Sequence, residues 1–191
     1  EPGDVIDQWE VPLVVDGEDV TVHGVLRWEH PVSPLPWIAV AIVVGLATVL
    51  GARHRSALVT AALALLAGAV GVGVAAAERS SMPGAAQSSV FAAAVPVVAV
   101  IAASGALAAW TRHRRDVMAI ASLLSVAATI GWAMLRIDVF LEPVLPTELE
   151  PVLDRAATAV AFAISAGVAL VITRSGALAR PTPVGADTTG S

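Results

Sequence analysis

The chain has 191 residues, 57% of them hydrophobic, with a mean hydropathy of +0.79; a soluble domain holds about 45–50% apolar residues, so lipid or neighbouring helices must surround most of this one. Charged residues make up only 14%, and the absence of cysteine excludes a disulfide framework and a thiolate metal site. The formal net charge of −5 is spread unevenly: arginine runs and carboxylates occupy alternate gaps between five apolar stretches.

Residues 1–34 read as an extracellular β-hairpin segment and linker. From Trp9 the pattern has period two, with Trp9, Val11, Leu13 and Val15 on one face. Asp16-Gly17-Glu18-Asp19 then makes a turn, and Val20, Val22, Gly24, Leu26 and Trp28 alternate with Thr21, His23, Val25 and Arg27. Asp-Gly between alternating apolar runs is a strong hairpin signal. A hairpin alone is marginal in water, so this one is expected to belong to a larger extracytoplasmic β-domain, upstream of Glu1 or on a partner. The alternative is a hairpin resting on the membrane surface. A removed leader or a longer amino-terminal part is expected before Glu1, since the first segment must be translocated.

Pro31 to Trp37 is a stiff connector, with Pro36 suited to a first helical turn and Trp37 to a membrane interface. Residues 35–174 read as a five-span transmembrane bundle, with spans at about 35–52, 56–77, 88–110, 117–135 and 156–173. Gly68, Gly71 and Gly73 in the second span offer close helix packing and predict a central position for it. Pro96 predicts a kink in the third. Between the fourth and fifth spans, residues 138–154 are too apolar for a solvated loop. They read as an interfacial segment with Glu142, Glu148 and Glu150 facing water, and with Thr147 capping a short helical turn that includes Glu150. Residues 175–191 read as a disordered cytoplasmic tail.

Arg53, Arg55, Arg112, Arg114, Arg115 and Arg174 set the topology: they follow the odd-numbered spans, while fourteen of the sixteen carboxylates fall in the other gaps. The positive-inside rule then places the amino end outside and the carboxyl end in the cytoplasm of a cell (plasma) membrane. The fold class is therefore an all-α membrane protein, a five-helix bundle with a short extracellular hairpin. The arginine clusters are short and abut spans, which suits lipid head groups better than nucleic acid.

No ionisable residue falls near a span midpoint, which argues against an ion-coupled pump. The hydroxyls of Thr48, Thr60, Ser104, Ser122, Ser125, Thr129, Thr158 and Ser165 read as helix-packing groups. Arg136, Asp138, Glu142, Asp154 and Arg155 flank the apolar loop as an outer polar cluster. Two readings stand: a site that holds a ligand or an upstream domain, or ion pairs that pin helix ends. His23 and His30, near Glu18, Asp19 and Glu29, are the candidate metal ligands, with donor chemistry that suits copper, nickel or zinc. His54 and His113 sit among arginines and read as loop residues. No phosphate loop, zinc-protease motif or nucleophile elbow occurs, so no enzyme is expected, no cofactor is identified beyond a candidate copper ion, and no catalytic residue is assigned.

The use of arginine without lysine, with abundant Ala, Val and Gly, suggests a GC-rich bacterial origin. Trp9 to Gly17, Val22 to Trp28, Pro34-Leu-Pro-Trp37 and the loop Pro143-Val-Leu-Pro146 with Asp154-Arg155 resemble the membrane-proximal part of uncharacterised actinobacterial multi-span envelope proteins. The resemblance implies a secreted, histidine-bearing amino-terminal domain ahead of a carboxyl-terminal helix bundle. It also implies a link to copper handling, since copper-handling envelope proteins are found beside some members. The expected role is an anchor and interaction platform for an extracytoplasmic domain. A transporter or permease component, with a path beside Pro96 and the glycine-rich second span, is the alternative; a membrane enzyme built on the outer cluster is a third.

Overall fold

A computed structural model describes residues 3–30, 32–52, 57–81, 90–143, 145, 147 and 149–175. Arg53, His54, Arg55, Glu148, Arg180 and the tail from residue 176 lie outside the described residues, as does the predicted start of the third span at residue 88.

Two strands, β1 (Val5–Val15) and β2 (Glu18–Arg27), pair antiparallel. Asp16 and Gly17 alone form the turn, with φ of 54° and 87°. Positive φ at both central positions is what a type I′ hairpin requires, and its twist matches the strands. Glu18 and Asp19 belong to β2, so the turn is shorter than the four residues read from the sequence. The register sets Trp9 against Gly24, Val11 against Val22 and Leu13 against Val20 on one face. Glu10 faces His23 and Pro12 faces Thr21 on the other. A Cβ on Gly24 would fall 2.0 Å from the Trp9 ring, so the indole lies across this glycine. The bonds Gly3 N–H to Trp28 O (2.7 Å) and Trp28 N–H to Asp4 O (3.0 Å) extend the ladder beyond the strands.

Five helices follow: α1 (Leu35–Ala52), α2 (Ala57–Ser81), α3 (Val90–Thr111), α4 (Arg115–Leu135) and α5 (Pro151–Arg174). All five are long and apolar enough to cross a membrane. Even α1, with 18 residues, spans about 27 Å at 1.5 Å per residue, close to the hydrocarbon thickness. Two boundaries differ from the sequence reading by more than two residues. α2 runs four residues further, to Ser81, and α5 begins five residues earlier, at Pro151. Pro151 occupies the first turn of α5, where its missing N–H costs nothing, so it opens the helix.

α2 lies against α3, α4 and α5, and α4 lies against α2, α3 and α5, while α1 packs along α5. In a bilayer, lipid tails provide no hydrophobic drive between helices, and close approach through small side chains takes its place. The interior follows that rule. Ala61, Ala64 and Ala67 of α2 meet Ala99, Ala103 and Ala106 of α3, all of them buried. Cβ atoms at Gly68 and Gly71 would lie 3.2 Å from Val100 and 3.1 Å from Pro96 respectively, so these two glycines admit α3. Gly73 is exposed with nothing within 4 Å of a Cβ there, so it has no part in the packing proposed for it from sequence. At the α1–α5 crossing a Cβ on Gly167 would fall 2.8 Å from Thr48 and 3.1 Å from the Gly45 carbonyl. α3 continues as helix through Pro96, whose ring is buried against α2. Large apolar side chains such as Ile38, Ile42, Leu46 and Leu50 of α1 point outward.

The helices alternate in direction and define two ends. Glu78, Arg136 and Asp154 meet at the hairpin end. Ala52, Ala57, Arg114 and Ser175 meet at the other, the arginine end.

Candidate functional site

The sequence pattern that places charge at helix ends produces a buried ionic cluster at the hairpin end. Arg136 stands as C-cap of α4, and Asp154 lies in the first turn of α5. Each charge suits the partial charge of its helix terminus. Arg136 Nη2 donates to both carboxylate oxygens of Asp154, at 2.8 and 3.0 Å. Its Nη1 donates to Glu78 Oε2 on α2. One turn back on α4, the buried Trp132 ring lies 5.4 Å from the guanidinium carbon, in cation–π range. Thr158, one turn further along α5, places Oγ1 3.5 Å from Asp154 Oδ1. Asp154 is 1% exposed, and the Arg136 side chain 10%. Arg136 thus ties α2, α4 and α5 at one point.

The neighbouring Arg155, 5% exposed, is spent on backbone. Its Nε donates to the Val139 carbonyl at 2.9 Å and its Nη2 to the Glu142 carbonyl at 2.6 Å. Val139 lies in a 3-10 turn, Ile137–Phe140, that follows α4. Arg155 therefore clasps the α4–α5 connection to the top of α5. Leu145, within the same connection, is buried. Thr147 Oγ1 accepts the Leu149 N–H at 3.1 Å, a local turn. Thr147, Leu149 and Glu150 are not helical, which replaces the short helix expected there; Glu150 instead precedes α5 as its N-cap.

Of the five residues grouped from sequence, the structure brings Arg136, Asp154 and Arg155 together. The side chains of Asp138 and Glu142 are exposed and stay out of the cluster; Glu142 contributes only its carbonyl. Glu78 was missed because the second span was ended at residue 77. The signal was present: Gly71, Ala75 and Glu78 recur at the spacing of the buried α2 face. Both carboxylates are held by the one guanidinium of Arg136, so the arrangement fastens α2, α4 and α5 to one another.

Deeper in the bundle, Thr129 Oγ1 bonds to the Ser125 carbonyl at 3.0 Å. The hydroxyls of Ser125 and Ser165 are fully buried, without a partner among the described residues. Between α1, α4 and α5 an apolar groove of about 330 Å³, bordered by Trp37, Met134, Phe140 and Phe162, opens under the loop. On the hairpin, His23 Nδ1 lies 3.0 Å from Glu10 Oε1, and both side chains are about two-thirds exposed at 65% and 68%. The partner is the cross-strand Glu10 rather than Glu18, Asp19 or Glu29. His30 is exposed beyond the end of β2. Among the described residues no group of three or more metal-binding side chains gathers.

Comparison with family models, with curated proteins and with solved structures found no match.

Proposed function

We propose that this chain is an integral plasma-membrane protein, an anchor and interaction platform for an extracytoplasmic domain. The hairpin stands outside and the carboxyl end lies in the cytoplasm. In keeping with the envelope proteins it resembles, the platform serves copper or other metal handling, with His23 and His30 as the metal-facing residues. One observation carries this reading: α2 and α3 meet through small buried side chains, while the apolar face of the hairpin is bare among the described residues. Trp9, Val11, Leu13, Val20 and Val22 are all more than 40% exposed. A two-stranded ribbon with such a face is marginal alone and gains stability from a third strand or a covering surface.

A photo-crosslinking residue at Val11 in cells should capture one envelope partner. The same group at Thr21, on the opposite face, should capture far less. Equal yields from both faces would contradict the platform reading. In a copper titration of the purified chain, His23→Ala and His30→Ala should weaken binding; unchanged affinity would remove these residues from it.

The buried hydroxyls of Ser125 and Ser165 favour a second reading, a transporter or permease component, because unpaired polar groups in a bundle can line a path. Copper entry into proteoliposomes separates the two. A platform leaves entry at the rate of protein-free vesicles, and saturable entry would support the transporter. Between the second and third spans Ala61, Ala64, Ala67, Ala99, Ala103 and Ala106 are buried, which supports the platform over a path there.

A further inference from the structure

At the arginine end, α1, α2, α4 and α5 border a cavity of about 670 Å³. Three independent features of its wall point to the same ligand chemistry. The first is charge. His113, Arg114 and Arg115 line the cavity, with Asp116 as the opposing carboxylate, so the two guanidinium groups leave a positive balance. Their placement is fixed by backbone. His113 adopts a left-handed conformation, φ 57°, and Arg114 N–H bonds to the Ala109 carbonyl at 2.9 Å. This six-to-one bond across a left-handed residue is a Schellman closure of α3, and it delivers Arg114 and Arg115 directly into the start of α4.

The second feature is the α4 N-terminus itself. Arg114 is its N-cap and makes no side-chain capping bond, so the first-turn N–H groups keep their attraction for an anion. The third is a pair of hydroxyls in the wall. Ser122 is 2% exposed and Thr60 is 8% exposed, yet both line the cavity, and neither has a hydrogen-bond partner among the described residues. Their oxygens open onto the cavity, and two free hydroxyls on the wall of a positively charged space mark a place for a ligand's oxygen atoms.

We propose that this cavity seats the phosphate-bearing head group of an anionic phospholipid. The phosphate meets Arg114, Arg115 and the α4 N-terminus, and the head-group or ester oxygens reach Ser122 and Thr60. Met118 and Ile172 supply apolar wall for the start of the acyl chains. A free phosphate shares the anion chemistry but leaves most of the volume and the apolar wall unused. The inference rests on the proposed membrane threading, which puts this end at a leaflet surface; basic pockets between transmembrane helices are known to take such head groups.

The test uses the full chain in nanodiscs holding equal phosphatidylglycerol and phosphatidylcholine, followed by native mass spectrometry of the lipid retained. The wild type should retain phosphatidylglycerol in preference by about tenfold or more, from two arginines at the membrane surface. Arg114→Gln with Arg115→Gln should bring the two lipids near parity, and Ser122→Ala should lower the preference without removing it. Arg112→Gln, equally basic but outside the cavity wall, should leave it unchanged. The proposal is overturned if the double variant keeps the wild-type preference, or if Arg112→Gln loses as much, which would signal surface charge alone. Displacement of the lipid by millimolar inorganic phosphate would assign the cavity to free phosphate instead. Nanodiscs present both leaflets, so the result does not depend on orientation in cells, and a failure here is distinct from a failure of the threading.

Discussion

At the residue scale the protein is organised around Arg136. A guanidinium with two carboxylate partners and an aromatic face is held because each partner is itself fixed near a helix end. Removing one member of a buried ion pair strands the other charge, which costs about 3–5 kcal/mol. Asp154→Ala should therefore lower stability by that order in a denaturant titration in bicelles. Glu78→Gln should cost only about 1 kcal/mol, because its side chain is 22% exposed and water can replace the lost charge. Equal losses at the two positions would mean that burial does not set the cost. Ser125 and Ser165 make the opposite case. Their hydroxyls are unpaired among the described residues, and a buried unpaired polar group costs about 1–3 kcal/mol. Ser125→Ala and Ser165→Ala should thus be neutral or stabilising in the same titration. A clear loss would mean that the hydroxyls have partners after all.

At the element scale, two glycines separate packing from propensity. Gly167 lets α5 meet α1 at Thr48 and Gly45, whereas Gly73 faces outward with open space around it. Gly167→Leu should release α1 from α5 and expose their contact to protease. Gly73→Ala should instead stabilise α2 by about 0.5–1 kcal/mol, the usual gain over glycine within a helix. Protection of α1 in the Gly167 variant would contradict the packing described. These two positions also mark how far the sequence could be read. Hydropathy and arginine placement located five helices, and Asp16-Gly17 located the hairpin, because both signals are local. Which glycine faces a neighbour is not local, since it depends on the rotation of α2 against α3. The same limit hid Glu78. A charged residue ends a hydropathy window, so the buried face of α2 was cut one residue short of the partner it brings to Arg136. Asp138 and Glu142 were grouped with the cluster by proximity along the chain, but the 3-10 turn at Ile137–Phe140 leaves their side chains exposed, and only the Glu142 carbonyl reaches Arg155.

At the scale of the whole molecule the two ends are chemically opposite. One carries the hairpin, the balanced cluster and the clasped loop; the other carries the unbalanced arginines and the open cavity. The threading proposed above rests on that asymmetry, with arginine kept on the cytoplasmic side. The chain contains no cysteine, so single replacements report cleanly on this threading. Val20→Cys and Thr111→Cys should be treated in intact cells with a maleimide that does not cross lipid. Labelling at position 20 and none at position 111, until the cells are permeabilised, is the result this account predicts. Labelling at 111 with 20 protected would contradict it.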